Sequence, residues 1–168
     1  FAQSDSVRIV TIITDNPTAG VLKVASQAGV RAVLLPRKKI AEGKPLLDEL
    51  NAVNADYVVL AGFLRLIPTE VVKQYSGRMV NIHPSLLPSY GGKGMYGMNV
   101  HKAVVEAGEE ESGITIHYVN EHYDQGDIIF QAHTEVYPDD TPEDVAEKVH
   151  ALEYQYYPQI VDQLICEL

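Results

Sequence analysis

Asn81 and His83 stand two positions apart in Arg78–His83 (RMVNIH), an apolar run that Pro84 ends. Side chains of a strand alternate between its faces, so both project the same way, with Cα atoms about 7 Å apart. An amide donor and an imidazole aimed at one point can hold a carbonyl oxygen and steady the oxyanion formed when a nucleophile attacks it. A plainer role also fits them, with Asn81 closing the strand end and His83 a hydrogen-bonded structural histidine. Asp124 lies in the polar turn Glu121-His122-Tyr123-Asp124-Gln125-Gly126-Asp127. Turns collect Asp and Gly for backbone reasons. If this turn folds over the strand end that carries His83, Asp124 can orient the ring and favour its cation, the better proton donor.

Other chemistry-bearing residues give weaker patterns. Gly91-Gly92-Lys93-Gly94 is glycine-rich but lacks the G-x-x-x-x-G-K-[ST] spacing of a phosphate loop, and Met95 follows it, so it reads as a mobile loop. His101, His117, His122, His133 and His150 show no metal-ligand spacing, and no metal is expected. His117 and His133 fall in predicted strands and read as packing or surface residues. Tyr154, Tyr156 and Tyr157 read as the packing face of an amphipathic helix.

A chain of 168 residues suits a single domain over 1–168. Its 13 Lys and Arg against 23 Asp and Glu leave a net charge of −10, a poor match for nucleic acid phosphates. The 46% hydrophobic and 21% charged content is that of a globular protein. The single Cys166 excludes an internal disulfide and suits a reducing, cytoplasmic setting. No apolar run approaches the roughly 20 residues of a membrane span. No signal peptide is visible in the sequence as it stands.

The elements that must position these residues alternate in type. Strands are predicted at Val7–Thr14, Val30–Leu35, Asp56–Ala61 and Arg78–His83. Helices are predicted at Pro17–Gln27, Pro45–Val53 and Pro68–Tyr75, and Arg37, Lys38 and Lys39 form a basic loop. This order predicts an α/β fold, a mostly parallel sheet with helices on both faces. Gly113–Asn120 and Asp127–Val136 then read as an antiparallel hairpin. Thr141–Leu164 reads as a helix with Thr141 at the N-cap, Pro142 at N1, and Glu143 and Asp144 in the first turn. Residues 84–97 form a long stretch without periodicity, a length that is often functional.

Taken together, three blocks carry a family resemblance. Ala61-Gly62-Phe63-Leu64-Arg65-Leu66-Ile67, Asn81-Ile82-His83-Pro84-Ser85-Leu86-Leu87-Pro88 and Asp124-Gln125-Gly126-Asp127-Ile128-Ile129 resemble the phosphoribosylglycinamide formyltransferase family. The resemblance implies a Rossmann-like formyltransferase fold. It also implies transfer of a formyl group from 10-formyltetrahydrofolate to the amine of glycinamide ribonucleotide, in purine synthesis. The family's catalytic positions match Asn81, His83 and Asp124. Asn81 would hold the formyl oxygen, protonated His83 would stabilise the developing charge, and Asp124 would keep His83 charged and assist proton transfer. The folate pocket would use backbone groups of Arg65, Leu66 and Ile67 and the loop from Val119 through Asn120 and Glu121. Gly62 and Leu64 match positions near the ribonucleotide, Glu153 the carboxylate that accepts from ribose hydroxyls, and Lys39 a basic residue near the phosphate.

Two departures accompany the resemblance. The loop Ser89–Gly97 is longer than the familiar form. The family also opens with a strand, a glycine-rich loop and a helix, and the chain is expected to begin near the end of that helix. On that expectation the natural protein is longer, and the chain taken alone binds ribonucleotide weakly. Related activities stay open at this point: a methionyl-tRNA formyltransferase-like domain, a formyltetrahydrofolate hydrolase-like domain, or a folate-binding fragment without catalysis. Whether the protein is a monomer or a homodimer also stays open.

Overall fold

The computed structural model describes residues 7–167. The chain runs β1 (Ile12–Thr14), α1 (Gly20–Ala28), β2 (Ala32–Leu34), α2 (Arg37–Ala41), α3 (Lys44–Ala52) and β3 (Val58–Leu60). It continues through α4 (Thr69–Gln74), β4 (Met79–His83), α5 (Met98–Ala107), β5 (Glu111–Tyr118), β6 (Ile128–Glu135) and α6 (Pro142–Cys166). The expected tail of a preceding helix falls outside the described residues.

Strand–helix–strand units give parallel pairing, as the alternation of elements requires. β1 lies parallel to β2, and β3 lies parallel to β4 with Leu60 opposite Asn81. The second half is antiparallel. β4 pairs with β5 and β5 with β6, giving the order β3-β4-β5-β6 beside the separate pair β1-β2. Among the described residues, β1 and β3 each pair along one edge.

Period-two alternation in β4 divides its side chains between two cores. Met79 packs with Ile40 of α2, Leu46 and Leu50 of α3, and Val71 and Val72 of α4. Val80 packs on the other side with Ile116 and with Tyr157 and Val161 of α6. Helices therefore cover both faces of the sheet, as predicted. A third cluster joins Val100 and Val104 of α5 to Ile114, Ala132, Val145 and Val149. Full burial of a valine side chain stabilises by roughly 1.5–3 kcal/mol, so these clusters hold the site-bearing strands firmly.

Some predicted elements change. β1 is shorter than the predicted strand, for residues 7–11 lie outside it and its partner β2 has only three residues. The basic stretch from Arg37 is helix α2 rather than loop, because Ile40 is 2% exposed and anchors a turn of good helix formers against the core. α5 was not predicted. α6 starts as predicted, with a capping box in which Thr141 accepts from the Asp144 N–H and the Asp144 carboxylate accepts from the Thr141 N–H. Among the described residues, no helix is long and apolar enough to cross a membrane.

Candidate active site

The register of the sheet builds one polar face at the end of β4. Asn81 and His83 share that face, and their direct partners on β5 are His117 and Thr115. Gln131 of β6 continues the row opposite Thr115. Loop 84–97 roofs it. The Leu87 N–H donates to Thr115 Oγ1 at 2.9 Å, and Thr115 Oγ1–H donates to the Ser85 carbonyl at 2.7 Å. Gln131 Nε2–H donates to the Leu87 carbonyl at 3.0 Å. Thr115 is wholly buried, so each of these bonds also satisfies a group that water cannot reach.

The hairpin between β5 and β6 brings Asp124 over this face. Gly126 makes the turn possible. A Cβ placed there would sit 1.7 Å from the Tyr118 carbonyl oxygen, so only glycine allows the close approach. Asp124 itself has φ +53°, a left-handed conformation that Asp tolerates better than most residues. The Tyr118 N–H donates to the Asp127 carbonyl at 2.9 Å, and the Val119 N–H donates to the Met79 carbonyl at 3.0 Å. The Leu66 N–H donates to the Tyr123 hydroxyl at 3.0 Å, tying the turn to the segment after β3.

Four side chains meet here. His83 is 4% exposed, and its Nε2–H donates to the Tyr90 carbonyl at 2.8 Å. Its Nδ1 lies 3.5 Å from Asp124 Oδ2, longer than a formed hydrogen bond. Asp124 Oδ2 accepts from the Gly92 N–H at 2.8 Å, and Oδ1 stands 3.7 Å from His117 Nε2. His117 Nδ1–H donates to the Tyr118 carbonyl at 2.8 Å, and its Nε2 lies 3.2 Å from Asn81 Nδ2. Burial draws the His117 pKa below its usual 6.5, a pull reinforced by His83 and opposed by the Tyr118 carbonyl and Asp124. The arrangement offers an amide donor, a shielded imidazole beside a carboxylate, and a neutral second imidazole. Such a set can bind a carbonyl oxygen and move a proton.

Nearly the whole chain settles the kinship, for the formyl transferase pattern matches residues 2–161. The chain belongs to the formyl transferase family. Within that family it is 42% identical over 164 residues to the chloroplastic phosphoribosylglycinamide formyltransferase of Arabidopsis thaliana, an alignment covering 95% of this chain and 56% of the relative. It is 33% identical over 158 residues to phosphoribosylglycinamide formyltransferase of Haemophilus influenzae, covering 92% of this chain and 72% of that one. Among solved formyl transferases, the phosphoribosylglycinamide formyltransferase of Anaplasma phagocytophilum superposes with a TM-score of 0.88 at 33% identity. That superposition covers 98% of this chain and 76% of the other. The chain thus spans about half the length of the plant relative it matches, 56%.

Of the residues predicted for the site, Asn81, His83 and Asp124 come together. Ile67 is 5% exposed and packs in the core. Arg65 Nε–H donates to Asp15 Oδ2 at 3.0 Å, and Arg37 Nε reaches the same oxygen at 3.2 Å. Leu64 and Leu66 are 55% and 44% exposed, and Gly62 has φ +64°. The Asn120 side-chain carbonyl accepts from the His122 N–H at 2.9 Å, and Glu121 is exposed. Glu153 lies one turn before Tyr157, whose hydroxyl donates to the Leu60 carbonyl at 2.6 Å. Burial raises the Glu153 carboxyl above its usual value, with His150 opposing. Lys39 pairs with Glu42 inside α2 at 2.8 Å.

His117, read from sequence as a packing or surface residue, is buried at 3% exposure and lies against Asn81, a neighbour the sequence did not reveal. Its signal was relational: once β4 and β5 are antiparallel neighbours, a histidine at the Asn81 register must share the Asn81 face.

Proposed function

We propose that this formyl transferase moves a formyl group from 10-formyltetrahydrofolate to the amine of glycinamide ribonucleotide. The observation that carries the reading is the convergence of Asn81, His83 and Asp124 at one sheet end, supported by the kinship above. The donor suits its surroundings. Leu64 and Leu66 offer exposed apolar surface to a flat pteridine, and backbone groups of Arg65, Leu66, Ile67, Val119, Asn120 and Glu121 would match its edge of donors and acceptors, apart from the Leu66 and Val119 N–H groups, which donate to the Tyr123 hydroxyl and the Met79 carbonyl. Gly62, Leu64, Lys39 and Glu153 would face the ribonucleotide, with Glu153 accepting from its hydroxyls. The reaction suits the reducing, cytoplasmic setting expected of a chain with one cysteine, Cys166.

In the proposed step the amine nitrogen attacks the formyl carbon, so no covalent enzyme intermediate forms. The formyl oxygen gains charge and accepts from Asn81 Nδ2–H and from Nδ1–H of the protonated His83 ring. The Nδ1 edge is not closed by Asp124 at 3.5 Å, so an incoming oxygen can compete for it. Asp124 takes the proton that the attacking nitrogen must lose. The bond from carbon to the folate nitrogen then breaks, and that nitrogen takes up the proton held by Asp124, which returns to its carboxylate form. Low exposure of His83 and His117 keeps the dipoles of the site effective.

The test is turnover of 10-formyltetrahydrofolate by the purified full chain, with and without glycinamide ribonucleotide, followed by product analysis. Consumption that depends on the ribonucleotide and yields its N-formyl product is expected. Release of formate independent of the ribonucleotide would overturn the reading in favour of a hydrolase.

A further inference from the structure

We propose that His117 is a positioning residue for Asn81, holding the side-chain amide so that one N–H meets the ring and the other meets the formyl oxygen. The inference rests on the formyl-transfer reading above and deepens it. The hydrogen-bond chain leaves one arrangement. The Tyr118 carbonyl can only accept, so His117 carries its proton on Nδ1, 2.8 Å away. Nε2 is then a bare lone pair. It sits 3.2 Å from Asn81, and only the amide N–H₂ is attracted to it. The carbonyl Oδ1 turned that way would face another lone pair. Rotating the amide by half a turn is thereby opposed, and Nδ2 keeps its second hydrogen for a ligand.

The ring must also stay neutral for this to work. A proton on Nε2 would face the amide hydrogens and turn the ring toward Asp124 Oδ1, 3.7 Å away. The titratable groups facing His117 are Asp124 from the hairpin turn and His83 from β4, and burial at 3% exposure outweighs the carboxylate. Register places the pair in direct opposition on β4 and β5, so neither side chain has to stretch.

The test combines a spectroscopic and a kinetic readout on the full chain. Ring ¹⁵N shifts of His117 should report protonated Nδ1 and bare Nε2, and the Asn81 side-chain amide should shift in His117→Leu. Turnover of His117→Leu should fall about 10–10²-fold with KM for both substrates little changed, the signature of misplaced geometry rather than lost binding. His117→Gln offers an acceptor at a similar reach and should recover most of that loss. In an Asn81→Ala background, His117→Leu should add less than twofold, because the ring acts through the amide. Additive losses, or a ring protonated on Nε2, would overturn the inference. A ring and amide that behave as described in a chain that transfers no formyl group would overturn the functional reading instead.

Discussion

The backbone N–H of Gly92 donates to Asp124 Oδ2 at 2.8 Å, joining the loop after β4 to the turn between β5 and β6 across 32 positions of sequence. The same carboxylate oxygen faces His83 at 3.5 Å. Asp124 is therefore held by a main-chain donor from outside its own turn, with the imidazole close by but not bonded to it, and its direction does not depend on the turn alone.

Asp124→Asn keeps an oxygen for Gly92 but removes the proposed base and the negative charge beside His83. Turnover is expected to fall about 10²–10⁴-fold, the usual worth of acid–base assistance. Asn81→Ala and His83→Ala should each cost about 10²–10³-fold, as loss of an oxyanion donor does. Steady-state kinetics at saturating substrates checks all of them. Near-normal turnover of purified, folded His83→Ala would remove the catalytic assignment.

Gly126→Ala tests the turn without touching a reacting group. The new Cβ would lie 1.7 Å from the Tyr118 oxygen, so the turn must shift. A loss of about 1–3 kcal/mol in urea unfolding is expected, typical of forced overpacking, together with lower turnover. Unchanged stability and activity would show that the hairpin does not hold Asp124 in place.

His101 makes stability depend on pH. It is 1% exposed, its Nδ1 has no hydrogen-bond partner among the described residues, and burial, then His150 and His83, pull its pKa below 6.5. In the unfolded chain the ring binds a proton near pH 6.5, whereas the folded chain resists it. Stability is thus full above about pH 6.5 and declines as pH falls toward the folded value. His117 contributes in the same direction. Thermal midpoints at pH 7.5 and pH 5 should differ less in His101→Leu than in the unsubstituted protein. An identical difference would show that His101 is not the group responsible.

Glu153→Gln probes the ribonucleotide. If Glu153 accepts from ribose hydroxyls as proposed, losing that charged acceptor costs about 1.5–3 kcal/mol, so KM for glycinamide ribonucleotide should rise at least tenfold while that for the formyl donor holds. An equal change in both would place Glu153 away from the ribonucleotide.

Local signals made much of this architecture readable. The end of β4 followed from β-branched and apolar residues stopped by Pro84, and period two put Asn81 and His83 on one face. The start of α6 followed from Thr141, Pro142 and Asp144. α5 escaped because its buried positions, Val100, His101 and Val104, make a narrow stripe behind a glycine-rich stretch. α2 escaped because tertiary packing of Ile40 decides it. Asp124 was legible as a turn residue, but its place over His83 is set by strand pairing 41 positions away and came from family resemblance. His117 shows the same limit, since a lone histidine in a strand acquires meaning only from the strand beside it.

The roof over the site touches His83 and Asp124 through the Tyr90 carbonyl and the Gly92 amide, main-chain groups rather than side chains. Changes to exposed side chains of that segment therefore leave these two main-chain contacts in place, while Asn81, His83 and Asp124 stay anchored to the strands and turn beneath.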